Sequence, residues 1–297
     1  MNSLQRLVEM SHVKKALGTL AGLALFYATY RLVTGKGTSN SYQWDWQREV
    51  VLVTGGSNGI GELVARKLAG RGIKVVALDL RPPKTPFPNN IYYYQLDVTS
   101  PKEIRRVAQS IRQDVGEPTV LINNAGVASL KTILDETDEE IRRTFDVNVI
   151  AHFFLIREFL PRMISQNHGH IITIASMASF VTLASNVDYS CSKAGALAFH
   201  EGLAQELKYK YNARNVQTSV VHPMWIRTTM FDSALKKGTL KDTLLQPNDV
   251  AKSIVALVLR GKSSQIFLPW YFSAASALRG FPTWIQECLR GLRADLL

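Results

Sequence analysis

From Glu49 onward, short apolar runs alternate with longer amphipathic stretches. Val50–Thr54 is apolar and reads as a first strand, followed by a glycine turn and a helix from Ile60 to about Arg71. Lys74–Leu80 and Ile91–Gln95 read as the next two strands, and Ser100 is placed to cap a helix running to about Val115. Val120–Asn123 is a fourth strand. Asp138–Ser165 is a long helical stretch, expected to bend or break near Pro161, where proline removes a backbone donor. Ile171–Ala175, a helix over Asp188–Tyr211, a strand at Val216–Val221, a helix over Asn248–Arg260 and a strand at Gln265–Leu268 complete the rhythm. Strand–helix alternation of this kind implies an α/β domain with a parallel sheet covered on both faces.

The ends of the chain break this pattern. Ala16–Tyr30 is uncharged and mostly apolar. A helix over Ala16–Val33 would be about 27 Å long, against about 30 Å for a hydrocarbon core. Lys14, Lys15 and Arg31 flank it and could snorkel to the interfaces. A cleaved signal peptide is the rival reading, but no small-x-small site follows Arg31. Thr34–Tyr42 is a polar linker. At the other end, Trp284, Ile285, Cys288, Leu289 and Leu292 share one helical stripe, suited to a membrane surface or to capping a pocket. The expected organisation is residues 1–40 as membrane anchor and linker, 41–268 as the α/β domain and 269–297 as an apolar extension.

Charge sharpens this picture. The formal net charge of the 297-residue chain is +11. Five bases and one acid lie in residues 1–40, and five bases and two acids in residues 260–297. Excess base beside apolar stretches fits an anionic lipid surface better than nucleic acid, for which no motif is present. Cys191 and Cys288 form no metal-binding or disulfide framework. Cys191 is expected to pack on its helix. His168 and His170 are expected to be turn and strand residues, not metal ligands, and His222 a satisfied strand-end histidine.

The candidate chemistry begins after the first strand. Gly55, Gly59 and Gly61 fall in Thr54-Gly55-Gly56-Ser57-Asn58-Gly59-Ile60-Gly61, between a strand and a helix. Glycines there let backbone N–H groups approach a pyrophosphate, which the helix N-terminus also attracts. Asp79 ends the second strand, 18 residues after Gly61. A carboxylate at that point accepts from ribose hydroxyls and repels a 2′-phosphate, so NAD is expected over NADP, with Arg81 able to soften the preference.

These residues resemble the short-chain dehydrogenase/reductase family over about Glu49–Leu268. Thr54–Gly61 matches its TGxxxGxG, including Ser57, Asn58 and Ile60. Asp97-Val98 resembles the pair near adenine, and Asn123-Asn124-Ala125-Gly126 matches NNAG. Asn148, Ser176, Tyr189 and Lys193 match the catalytic tetrad. Pro223 and Thr228 match the ends of PGxxxT, although Met224 stands where glycine is usual. The resemblance implies a single Rossmann-like doubly wound parallel sheet that binds NAD or NADP. The terminal anchor and Gly169–Thr173 resemble the membrane-bound branch of retinol dehydrogenases and the 17-beta-hydroxysteroid dehydrogenase type 11 group. That likeness implies the endoplasmic reticulum or lipid droplets, a catalytic domain facing the cytosol, a lipophilic alcohol or carbonyl as substrate, and pairing as a homodimer through long helices.

In such an enzyme Tyr189 and Lys193, at i and i+4, share a helix face. The ammonium and the nicotinamide charge would lower the phenol pKa, making Tyr189 the acid/base. Lys193 would also hold the nicotinamide ribose, Ser176 would position the substrate oxygen, and Asn148 would hold a water in a proton relay. Trp225, Met230, Phe231 and Leu235 would cover the substrate. The competing functional class is a catalytically silent dinucleotide sensor or scaffold on a membrane.

Overall fold

The computed structural model describes residues 44–228 and 244–291. The expected anchor, and Met230, Phe231, Leu235 and Leu292 of the substrate cover and terminal stripe, lie outside the described residues. Seven strands form one parallel sheet: β1 (Val50–Thr54), β2 (Lys74–Asp79), β3 (Ile91–Gln95), β4 (Val120–Asn123), β5 (Gly169–Ile174), β6 (Val216–Pro223) and β7 (Ser264–Leu268). Their order is β3-β2-β1-β4-β5-β6-β7. The direction of progression reverses between β1 and β4, and an open sheet of this kind leaves a crevice at the carboxyl ends of those strands.

Alternation of side chains decides which helix goes where. Val50 and Leu52 of β1 join a core with Ile104, Leu155 and Phe199. Those residues belong to α2 (Pro101–Asp114), α4 (Ala151–Gln166) and α5 (Val187–Tyr209). Val51 and Val53 face the other way, toward Val64 and Leu68 of α1 (Gly59–Ala69) and Ile254 and Val258 of α6 (Pro247–Arg260). Both faces of β1 are thereby covered, which is why the strand reads as an unbroken apolar run. Asn58 caps α1 by accepting from the Gly59 N–H, and Ser100 caps α2 by accepting from the Glu103 N–H.

The long helical stretch breaks elsewhere than expected. α3 (Asp138–Phe145), opened by a Thr137–Glu140 capping box, runs into a π-turn at Asp146–Ile150 and then α4. Ala151 N–H reaches back five residues to the Asp146 carbonyl. Pro161 sits inside α4, whose buried Phe159, Leu160 and Met163 hold it to the core. The extra residue of the π-turn, a feature often found at functional sites, carries Asn148.

After β7, Trp270–Gly280 forms a 3₁₀ stretch that patterning did not reveal, and α7 (Thr283–Gly291) follows. No residue of α7 is buried. At the opposite end of the sheet, Trp44 donates from Nε1 to the Gly261 carbonyl at 3.1 Å and lies against His168. His168 in turn contacts the Glu49 carboxylate at 3.0 Å through Nε2. His170 is buried in β5 with Nε2 2.8 Å from Ser219 Oγ.

Candidate active site

The crevice opens as one cavity of about 1100 Å³ along the carboxyl ends of the strands. At one end, Gly55, Asn58, Gly59 and Ile60 line it. Gly55 and Gly59 have φ of +62° and +55°, a region that disfavours any side chain. A Cβ on Gly61 would stand 2.1 Å from the Gly55 carbonyl oxygen, so this glycine permits the helix to pack on the turn. Gly61 does not line the cavity. A Cβ on Gly59 would meet nothing within 4 Å, so the helix start faces open space.

Asp79 also lines the cavity and is aimed by the backbone. Its Oδ2 accepts from the Ser57 N–H at 3.0 Å and its Oδ1 from the Arg81 N–H at 3.4 Å. Ser57 is buried, and its hydroxyl has no partner among the described residues. Asp97 and Val98 line the neighbouring wall, and Asp97 is fixed by accepting from the Thr99 N–H at 2.9 Å and hydroxyl at 2.7 Å. Asn124 ties β4 to β1: its Nδ2 donates to the Thr54 carbonyl at 2.8 Å, while the Asn124 and Ala125 N–H groups donate to Thr54 Oγ1. Asn124, Ala125 and Gly126 all face the cavity. A glycine cradle at a helix start, an unpartnered buried hydroxyl and a carboxylate at the end of β2 fit an adenine dinucleotide.

The catalytic candidates meet where this half of the cavity ends. Ser176, Tyr189 and Lys193 line it together. Lys193 is buried, donates from Nζ to the Ile174 carbonyl at 2.8 Å, and lies 5.6 Å from the centre of the Tyr189 ring. A Cβ placed on Gly126 would be 3.4 Å from Asn148 Oδ1 and 3.5 Å from Lys193 Nζ, which shows how close those groups stand.

Asn148 is wholly buried and does not line the cavity; both donor hydrogens of its amide are committed. Nδ2 donates to the Val127 carbonyl and to Ser192 Oγ, both at 2.9 Å, while Oδ1 accepts from the Val127 N–H at 2.9 Å. The side chain therefore clasps the loop after β4 to α5. Set by the protein's own groups alone, the Tyr189 phenol is raised. Burial pushes it up to about 12, against a smaller downward pull from its hydrogen bond with Ser176. Burial pushes Lys193 down to about 8.

Pro223, Met224, Trp225, Ile226 and Thr228 line the far side. Met224 keeps a negative φ, so the position usually held by glycine does not require one here. Val181, Leu183, Phe272 and Ala275 add apolar walls that sequence reasoning missed. Phe272 and Ala275 are three apart on the 3₁₀ stretch, where that spacing aligns side chains. The pocket is thus capped by Trp270–Gly280 and not by the stripe around Trp284, whose side chain is 73% exposed. Cys191 is exposed, so it does not pack as expected. Another unforeseen feature is acidic. Ser129, on the cavity wall, donates to Glu136, whose carboxyl is raised by burial and by the nearby Asp188.

Comparison with known proteins places this geometry. A family model described as short chain dehydrogenase matches residues 49–238. Dehydrogenase RED2 of Cochliobolus heterostrophus is 43% identical over 202 residues, covering 67% of this chain and 76% of that protein. Epidermal retinol dehydrogenase 2 of Mus musculus is 32% identical over 221 residues, covering 71% of each chain. A solved short-chain dehydrogenase from Streptomyces avermitilis matches with a TM-score of 0.67 at 23% identity, covering 82% of this chain and 98% of that one. That likeness speaks for the fold.

Proposed function

The chain belongs to the short-chain dehydrogenase/reductase family, in its retinol and 17-beta-hydroxysteroid dehydrogenase branch, and we propose that it interconverts a lipophilic alcohol and its ketone or aldehyde. It is an oxidoreductase of CH–OH groups that uses NAD(H) or NADP(H). The observation that carries the finer reading is the shared cavity. Tyr189, Ser176 and Lys193 line one cavity together with the glycine turn and Asp79 and with the apolar side chains of Val181, Leu183, Trp225 and Phe272.

Gly55, Gly59 and Ile60 would hold the dinucleotide's phosphates, Asp79 and Ser57 its adenosine ribose, Asp97 and Val98 its adenine side, and Lys193 its nicotinamide ribose. Asn124, Ala125, Gly126, Pro223 and Thr228 would border the rest. When bound, the nicotinamide supplies or accepts the hydride. Tyr189 holds a proton at its hydroxyl near neutral pH. In the reductive direction it gives that proton to the substrate oxygen; in the oxidative direction the phenolate, favoured by the Lys193 ammonium and the charge of a bound oxidised nicotinamide, takes the proton of the substrate hydroxyl. The Lys193 ammonium stabilises the phenolate left behind. Ser176 donates to the same substrate oxygen and fixes its position against Tyr189. Asn148 contributes rigidity, holding Val127 and Ser192 around this centre. The Asp79 carboxylate favours NAD(H) over NADP(H).

The membrane reading follows from composition and exposure. No helix among the described residues is long and apolar enough to cross a membrane. Residues 1–40 supply the anchor in this proposal. Trp270, Tyr271 and Trp284, all exposed, supply aromatic side chains suited to the headgroup level of a bilayer. Retinol and 17-beta-hydroxysteroids, the substrates in the names of relatives, are lipophilic in keeping with the apolar walls. An endoplasmic reticulum or lipid-droplet surface with the catalytic domain in the cytosol suits such substrates.

The test is turnover of a panel of retinoid, steroid and long-chain alcohols and carbonyls, followed by NADH fluorescence, for wild type and Tyr189→Phe. The variant keeps the ring and loses one hydroxyl. It should bind cofactor normally and lose at least about 100-fold in rate, the lower range of acid–base contributions. Retention of more than about a tenth of the wild-type rate would remove Tyr189 from the chemistry.

A further inference from the structure

We propose that His222 is a positioning residue for Ser176, holding the serine backbone through an Nδ1–H tautomer that Gln265 locks in place. The proposal rests on the reading of Ser176 as the group that orients the substrate oxygen. His222 is fully buried on β6 and does not line the cavity, so it acts through another residue.

Its two ring nitrogens have different partners. Nδ1 lies 3.2 Å from the Ser176 carbonyl oxygen, and Nε2 lies 3.0 Å from the Gln265 side-chain nitrogen. A carbonyl only accepts and an amide nitrogen only donates, so Nδ1 carries the hydrogen and Nε2 is bare. The neutral imidazole satisfies both contacts, whereas an imidazolium would face Gln265 donor to donor. Burial agrees, pushing the His222 pKa down to about 4.

The ring also has no room to turn. It stacks on Phe267 with centroids 5.0 Å apart and planes 21° apart, and Phe180 closes against it at 4.9 Å. Phe267 is the register partner of His222 across β6 and β7. Gln265 lies two residues earlier on β7, hence on the same face.

Ser176 is thereby gripped at both ends by consecutive residues. The His222 imidazole donates to its carbonyl, while its hydroxyl donates to the Pro223 carbonyl at 3.3 Å. The serine backbone is extended, at φ −167° and ψ 163°, and its Oγ also accepts from the Ala178 N–H at 3.1 Å. A substrate oxygen competes with the Pro223 carbonyl for the hydroxyl hydrogen. The bond from His222 does not involve that hydroxyl, so it persists while the hydroxyl turns. This gives Ser176 one mobile hydrogen on an immobile frame, the preorganisation that oriented catalysis requires.

The experiment uses two substitutions in the full-length enzyme. His222→Phe keeps an aromatic ring in the slot but removes the donor. His222→Asn places an amide N–H near the position of Nδ1. Turnover, dinucleotide Kd and thermal midpoint are measured for each, with Tyr189→Phe alongside. His222→Phe should lose about tenfold or more in kcat with the dinucleotide Kd unchanged, and His222→Asn should recover to within about threefold of wild type. A His222→Phe enzyme with wild-type kcat overturns the proposal, as does a folded His222→Asn enzyme equally impaired. A second readout needs no turnover. In 15N-histidine-labelled protein, the signals lost in His222→Asn should report a protonated Nδ1 and a bare Nε2. An Nε2–H tautomer overturns the proposal even if His222→Phe fails to fold. Full activity in Tyr189→Phe would instead overturn the reading of the reacting centre, leaving the tautomer result to judge His222 separately.

Discussion

Cofactor choice can be worked from one carboxylate. Asp79 closes β2 beside the glycine turn and is pinned by the Ser57 and Arg81 N–H groups, at 3.0 and 3.4 Å. It therefore cannot swing far from a group placed near it. Two unit negative charges about 5 Å apart, at an effective dielectric of about 20, repel by about 3 kcal/mol. Exposure at the cavity wall and the neighbouring Arg81 reduce this, so about 1.5–3 kcal/mol remains against a 2′-phosphate. At about 1.4 kcal/mol per decade, the wild type should prefer NADH over NADPH by about 10- to 100-fold in kcat/KM. Asp79→Asn is the sharpest perturbation, because it keeps an acceptor for the Ser57 N–H and removes only the charge. It should bring the ratio to within about threefold of unity, mostly by improving NADPH. Asp79→Ala also strips the Ser57 N–H of its partner and should weaken both cofactors. Initial rates with each cofactor, using one carbonyl substrate, decide the matter. Wild-type enzyme that works better with NADPH refutes the assignment, and an unchanged ratio in Asp79→Asn refutes the electrostatic reasoning.

Three further outcomes are expected. Gly61→Ala, whose Cβ would lie 2.1 Å from the Gly55 carbonyl oxygen and 2.6 Å from Asn124 Nδ2, should abolish dinucleotide binding; Gly59→Ala, strained at φ +55° and with its methyl added at the wall of the phosphate cradle, should cost about 1 kcal/mol of stability and weaken dinucleotide binding without abolishing it. Equal fluorescence titrations for the two variants would contradict this. Burial pushes His152 and His170 down to about 3 and His200 and His222 down to about 4, all below the ordinary 6.5. The unfolded chain therefore takes up the protons first, so the stability is whole above pH 6.5 and is lost as pH falls toward 4. Urea unfolding at pH 5 should lie at least about 4 kcal/mol below that at pH 7.5, and matching curves would contradict the burial argument. Removal of residues 1–40 should leave NAD binding and turnover of a water-soluble test substrate intact while releasing much of the protein from membranes. Full-length protein stripped completely by alkaline carbonate would refute an integral anchor, and loss of NAD binding on truncation would assign the segment to the fold.

What could be read from the chain, and what could not, divides by the range of the interactions. Val50–Thr54, the glycine turn and Asp79 are legible because an unbroken apolar run, a positive φ and a strand end are local properties. Tyr189 and Lys193 are legible because four residues on a helix make one face. The π-turn at Asp146–Ile150 adds a single residue to a helical repeat, a change that 3.6-residue periodicity does not reveal, while Pro161 draws attention to the wrong place. The cap at Trp270–Gly280 takes its meaning from remote partners: Phe272 and Ala275 reach the cavity, and Arg279 Nε donates to the Phe180 carbonyl 99 residues away. His222 is similar, since the bond to Ser176 spans 46 residues and the bond to Gln265 spans 43. The tyrosine likewise depends on the whole fold. The ammonium one helical turn away and the nicotinamide charge would lower the phenol, while the water that the whole fold removes raises it. Lys193 answers the same burial by giving up affinity for its own proton. A motif therefore identifies which groups meet, while the fold around them decides which protonation state each one holds.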